Sequence, residues 1–163
     1  MAFLFACLEN MFKKTTIILI FFSFFSLGHS AKEGFGYNIA VSNPDLTKIN
    51  EMLNKDNYNG AIKLLKKEIK KHKLNPDLFN LLGYSYRKNK RYNLAIKNYK
   101  KALSIDPNHK RTHNYLGITY LKVGNIEKSR EHMQILKKLC DEKCEEYKAL
   151  KKEINIAVLN EKK

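Results

Sequence analysis

The chain has 163 residues, 44% hydrophobic and 29% charged, which supports one hydrophobic core and is too little for two domains of ordinary size. Seven glycines, three prolines and a mean hydropathy of -0.48 exclude a low-complexity chain and a polytopic membrane protein. The formal net charge of +15 favours anionic partners over cationic ones, although most of the lysines read as a coating of solvated helix faces in a lysine-rich proteome.

In chain order, the first element is a targeting segment at residues 1–30. Lys13 and Lys14 precede an apolar stretch from Ile17 to Leu27, and Gly28, Ser30 and Ala31 supply small residues after it. A basic lead, a short apolar run and a small-residue exit make a secretory signal. The run is well short of the roughly 20 apolar residues that a spanning helix needs. Cleavage after Ser30 or Ala31 is therefore expected, with a retained membrane anchor as the lesser alternative. Starting the signal at Met11 gives it an ordinary basic lead, and Cys7 then falls outside the mature chain. Removing Lys13, Lys14 and Glu9 leaves a net charge of +14. Residues 31–44 read as a flexible linker.

Beyond the linker the chain repeats itself. Residues 58–67 read YNGAIKLLKK and residues 92–101 read YNLAIKNYKK, seven identities in ten at a spacing of 34. NLLGYSY at 80–86 meets NYLGITY at 114–120 at the same spacing. Tyr58, Tyr92 and Ile126 keep it too, as do Ala61, Ala95 and Ser129. A period in this range marks a stacked repeat architecture.

Within each unit the periodicity is helical. Phe79, Leu82, Gly83 and Tyr86 fall at i, i+3, i+4 and i+7, one face of a helix, and Ala95, Ile96, Tyr99, Ala102 and Leu103 do the same for the next. Small residues on these faces predict close helix approach, with aromatic side chains filling the space beside them. RKNKRY at 87–92 and KVGNIE at 122–127 read as polar turns, and Pro107 ends the second helix of its unit. Each unit is thus a helix, a turn and a helix.

This pattern resembles the tetratricopeptide repeat (TPR). Phe79, Leu82, Gly83, Tyr86, Tyr92, Ala95, Tyr99, Ala102 and Pro107 stand at that family's signature spacings. A second good unit runs through Leu116, Gly117, Tyr120, Ile126, Ser129 and Met133, with His113 at the usual large aromatic position. The first unit keeps Tyr58, Ala61 and Leu65 in its second helix, while DLTKINEMLN lacks the Leu-Gly pair, so its first helix is expected to be short or loosely packed. The resemblance implies an all-α, right-handed superhelical solenoid over residues 45–139, with units at 45–75, 76–109 and 110–139. A capping helix within 140–159 and a tail at 160–163 complete it.

Two cysteines, Cys140 and Cys144, stand where the last repeat helix gives way to the cap. Lys137 and Lys138 suit a helix C-terminus and Glu145 and Glu146 an N-terminus, so CDEKC reads as a turn between helices. Within one continuous helix, residues four apart hold their Cβ atoms about 5–6 Å apart, too far for a disulfide. A bridge requires that break, and would contribute about 2 kcal/mol in the chain-entropy model. An oxidising compartment favours it. Free thiols, or a metal or redox pair, stand as alternatives, although zinc needs two further ligands and only His132 is near in sequence. The stretch LCDEKCEEY also resembles the tail of small exported tetratricopeptide proteins of Gram-negative bacteria, which implies a periplasmic location.

Catalytic motifs are missing from the sequence: it has no Gly-rich phosphate loop, nucleophile elbow or His-Glu-x-x-His helix. His72, His109, His113 and His132 sit on different elements without a carboxylate at a useful spacing. No cofactor or metal is expected, and the chain reads as a non-catalytic scaffold or adaptor. In the family it resembles, the first helix of each unit lines a concave groove, which implies a peptide-binding set of Asp77, Asn80, Tyr84, Arg87 and Lys88, then Arg111, Asn114, Ile118, Leu121 and Lys122. Amides can pair with an extended backbone, and the basic residues favour an acidic segment or a free carboxylate. Two rival readings are an accessory thiol or metal-handling factor using Cys140 and Cys144, and a basic module docking on anionic membrane or nucleic acid. Nucleic acid is the weaker partner, because the aromatic residues are committed to the core.

Overall fold

A computed structural model of the protein describes residues 46–161. The predicted signal, its cleavage site, Cys7 and the linker lie outside these residues. Seven helices follow one another: α1 Thr47–Asn54, α2 Tyr58–Lys71, α3 Pro76–Lys88, α4 Tyr92–Ile105, α5 Lys110–Lys122, α6 Ile126–Cys140 and α7 Glu145–Glu161. Together they form an all-α, right-handed TPR solenoid of three helix pairs and a cap. Asn43–Lys163 forms one compact unit, with the described core closed inside it.

The 34-residue period has a backbone cause. Each first helix ends in one left-handed residue, Asp56 (φ 53°), Lys90 (φ 58°) and Gly124 (φ 75°), spaced by the period. The amide of each bonds three residues back, to Leu53, Arg87 and Leu121, and the next amide bonds five back, to Met52, Tyr86 and Tyr120. These paired bonds satisfy the last carbonyls of the helix and reverse the chain. Two of the three second helices then start on side-chain caps, Asn57 Oδ1 accepting from the Gly60 amide and Asn125 Oδ1 from the Lys128 amide, whereas α4 starts after Arg91 without one. Asn75 caps α3 in the same way with Pro76 in its first turn, where the missing N–H costs nothing.

Packing follows the apolar faces. Ile49, Ala61, Leu65, Leu78, Leu82, Tyr86, Ala95, Tyr99, Leu116 and Tyr120 make one buried cluster across α1 to α5. A second cluster joins Leu136 of α6 to Tyr147, Leu150 and Ile154 of α7. Burying each large side chain contributes about 1.5–3 kcal/mol. Two glycines sit at close approaches, since a Cβ on Gly83 would stand 2.7 Å from the Tyr99 ring and one on Gly117 would stand 2.6 Å from the end of the Leu150 side chain.

α1 is only eight residues long, in keeping with its missing Leu-Gly pair. Two boundaries differ from expectation. α7 runs to Glu161, past the expected end at 159. α6 runs one residue beyond the predicted end, to Cys140, and the turn to α7 carries a left-handed residue at Asp141 (φ 64°) that the earlier units lack at this point.

First helices lie inside the curve: α3 touches α5 and α5 touches α7, whereas α2, α4 and α6 pack on first helices and face outward. Gly83→Ala should destabilise by about 1–3 kcal/mol despite alanine's better helix propensity, because the added methyl displaces Tyr99. Lys90→Gly should stabilise by about 1 kcal/mol by relieving a left-handed side chain. Urea unfolding measures both, and unchanged midpoints would contradict this packing.

Candidate interaction surface

The inner surface begins with a ledge of rings. Tyr58 meets Tyr84 edge-on at 6.5 Å between centroids, and Tyr84 meets Tyr115 at 5.4 Å. The Arg87 guanidinium carbon lies 5.2 Å from the Tyr84 ring and 5.3 Å from the Tyr115 ring, and Lys88 Nζ lies 5.6 Å from the Tyr58 ring. Cations held over ring faces are oriented without carboxylate partners, so their charge is left for a ligand. Beneath the ledge, Asn80 Nδ2, Arg87 Nε and Tyr99 Oη are buried with no hydrogen-bond partner among the described residues. Burial pushes the Tyr99 phenol well above its ordinary value, against the opposing pull of Arg87, so it stays a neutral O–H.

Tyr84, Arg87 and Lys88 therefore share one ledge, whereas Asn80 is buried against Thr112, and sequence reasoning missed the ledge's other two rings, Tyr58 and Tyr115. Tyr115 directly follows Asn114 and could have been found by asking what faces Tyr84 one unit on. The second predicted set is placed differently. Asn114 is buried and its Nδ2 donates to the Glu146 carbonyl at 2.8 Å, while Ile118 and Leu121 pack against the α7 cluster. Helix α7 occupies the position that the first helix of a fourth unit would take. Arg111 and Lys122 stay exposed at the edges.

The histidines are not as scattered as the sequence suggests. His109 Nε2 lies 3.1 Å from Asp77 Oδ1, and its Nδ1 lies 2.8 Å from Thr112 Oγ1. This order of acid, imidazole and hydroxyl superficially matches a hydrolase triad. Thr112, however, is fully buried and its Oγ1 also lies 3.1 Å from Asn80 Oδ1, so no substrate can reach it. His109 Nδ1 accepts from the Thr112 amide as well, which makes the ring the N-cap of α5. The arrangement is structural and ties α3 to α5.

His113 is buried at its aromatic position. Its Nε2 lies 2.8 Å from the Pro107 carbonyl, which only a ring N–H can satisfy, so Nδ1 accepts from His132 Nδ1 at 2.9 Å. His132 stacks on Tyr120. Burial, with His113 and Lys100 nearby, pushes His132 down to about 4, and burial also lowers His113.

Cys140 and Cys144 flank the turn between α6 and α7, with Cα atoms 5.8 Å apart and sulfurs joined at 2.12 Å. Their sulfurs and a Glu146 carboxylate oxygen all lie within 4.8 Å of one another.

The fold and the glycine positions define a tetratricopeptide-repeat architecture, and the family model described as TPR repeat matches residues 83–124. The uncharacterized protein ycf37 of Guillardia theta is 37% identical over 68 residues, which cover 41% of this chain and 38% of that protein. The chain thus spans well under half of this curated relative. The Yersinia enterocolitica type III secretion chaperone SycD, in complex with a peptide of the translocator YopD, superposes with a TM-score of 0.62 at 17% identity, covering 70% of this chain and 89% of SycD. The first TPR of Spaghetti (RPAP3), bound to the HSP90 peptide SRMEEVD, does so at 0.62 and 19%, covering 69% of this chain and 90% of that one.

The histidine pair gives the fold a pH dependence. The unfolded chain takes up protons near 6.5, whereas folded His132 resists until about 4. Stability is therefore full above the unfolded value and is lost as pH falls through this window. Chemical unfolding should show a loss on the order of 2 kcal/mol between about pH 7 and pH 5. His132→Phe, which keeps the stack on Tyr120, should flatten the slope, and an equally steep slope in that variant would contradict the assignment.

Proposed function

We propose that this chain is a non-catalytic interaction module of the bacterial cell envelope that holds an extended acidic segment of a partner protein along the inner faces of α1, α3 and α5. The observation that carries this reading is the Arg87 ledge: a guanidinium held over two tyrosine rings with no carboxylate partner among the described residues. A carboxylate of the partner would supply acceptors for the guanidinium, and charge-assisted bonds of this kind are the strong ones. The groove is short, because α7 takes the Asn114 end. Peptide complexes of SycD and RPAP3 support the choice of partner, the latter's peptide being acidic.

Export rests on the Lys13–Ala31 segment of the sequence. In that compartment the bond between Cys140 and Cys144 would act as a staple fixing the angle of α7, and so the length of the groove. The thiol-handling alternative needs the same pair to be reactive.

The test is titration of acidic peptides selected from a random library. Arg87→Ala should weaken binding at least tenfold, about 1.4 kcal/mol, with Arg87→Lys restoring little, since an ammonium does not replace a stacked guanidinium. Lys122→Ala, beyond the closed end, should change little. Binding retained in Arg87→Ala, equal losses in Arg87→Ala and Lys122→Ala, or selection of no acidic peptide would contradict the reading.

A further inference from the structure

The positive charge is sorted between the two sides of the solenoid. Helix α2 carries five lysines against Glu68, α4 three lysines and no acid, and α6 four basic residues against Glu127 and Glu131. The inner helices are closer to balance. α1 sets Lys48 against Glu51, α3 sets Arg87 and Lys88 against Asp77, and α7 sets three lysines against four glutamates, with α5 the exception. A proteome rich in lysine would load both sides alike.

On the outer side the lysines are also in register. Lys63, Lys66 and Lys67 fall at i, i+3 and i+4 on α2, and Lys97, Lys100 and Lys101 repeat the same stripe on α4 at the 34-residue spacing. All six are exposed, and no ion pair among the described residues involves any of them. Leu94, 41% exposed, lies on the α4 stripe at i-3 from Lys97 and i-7 from Lys101. With Lys90, Arg91 and Val123 it borders an open cleft of about 420 Å³.

We propose that the outer face of α2 and α4 is a docking surface for an anionic lipid bilayer. Lysines near an anionic leaflet each add to attraction within about a Debye length, and a row of them needs no fixed geometry at the phosphates. The two helices use lysine throughout and no arginine, which suits diffuse adsorption rather than bidentate recognition of one phosphate. An exposed leucine on a basic stripe fits the headgroup boundary. Nucleic acid is the poorer match, because Tyr86 and Tyr99 are buried and the single partly exposed ring of α4, Tyr92, is too little for a row of stacked bases. Docking by the outer face leaves the inner groove open to a partner, so this surface stands whether or not the groove binds peptide.

The test is cosedimentation of residues 43–163, the self-contained folding unit, with vesicles of phosphatidylcholine alone or with about 30 mol% phosphatidylserine. The chain should sediment with the anionic vesicles and not the neutral ones, and should be released by roughly 0.5 M salt. Replacing all six lysines with Gln should lower partition more than tenfold with an unchanged melting temperature, whereas six Lys→Gln changes among the other exposed lysines should lower it much less. Equal losses from the two sets would overturn the face assigned here. So would binding to neutral vesicles, absence of binding at low salt, or a duplex oligonucleotide that displaces the chain from vesicles at lower phosphate concentration.

Discussion

The bare Cα at Gly83 and Gly117 is the constraint on which the remaining architecture depends. At Gly83 it admits the ring of Tyr99 from the second helix of the same unit. At Gly117 the space is taken instead by Leu150 of α7, because Met133 stands where the earlier unit has Tyr99. Close approach at these two points sets how each helix pair closes and how the cap seats. The left-handed residues at 56, 90 and 124 then repeat the same chain reversal, so one local geometry is stacked three times.

From this stacking comes the division of the inner surface. Asn80 and Asn114 are the same position in successive units, yet their surroundings differ. The residue 32 positions after Asn80 is Thr112, whose side chain engages only the amide oxygen; the one 32 positions after Asn114 is Glu146, whose backbone carbonyl takes the amide nitrogen. One unit thus leaves its amide nitrogen unpaired in the interior while the other spends it on the cap. The sorting of charge adds a second asymmetry, with a nearly balanced inner side and a lysine-rich outer side.

The helices were legible because identical residues at a fixed spacing must build identical units, and Leu-Gly pairs with aromatic partners admit few other packings. The short α1 was foreshadowed by its missing Leu-Gly pair. Contacts between helices were harder to read. His109 with Asp77, and His113 with His132, join residues 32 and 19 apart, and neither pairing follows from helical periodicity. They depend on how the loops turn, three residues long within a unit and four between units, and the sequence therefore suggests isolated histidines where the structure makes two tethers. Tyr115 was hidden for a related reason: it sits beside the predicted groove set and enters the ledge only because α5 lies next to α3.

The most direct measurement is amide chemical-shift mapping on residues 43–163 titrated with a selected acidic peptide. Perturbations concentrated on the inner faces of α1, α3 and α5 around Asn80, Arg87 and Tyr115, fading towards Lys122, are what this account requires. Shifts centred on α2 and α4, or on α7 and the Cys140–Cys144 turn, would show that the ledge is not where this protein engages its partner.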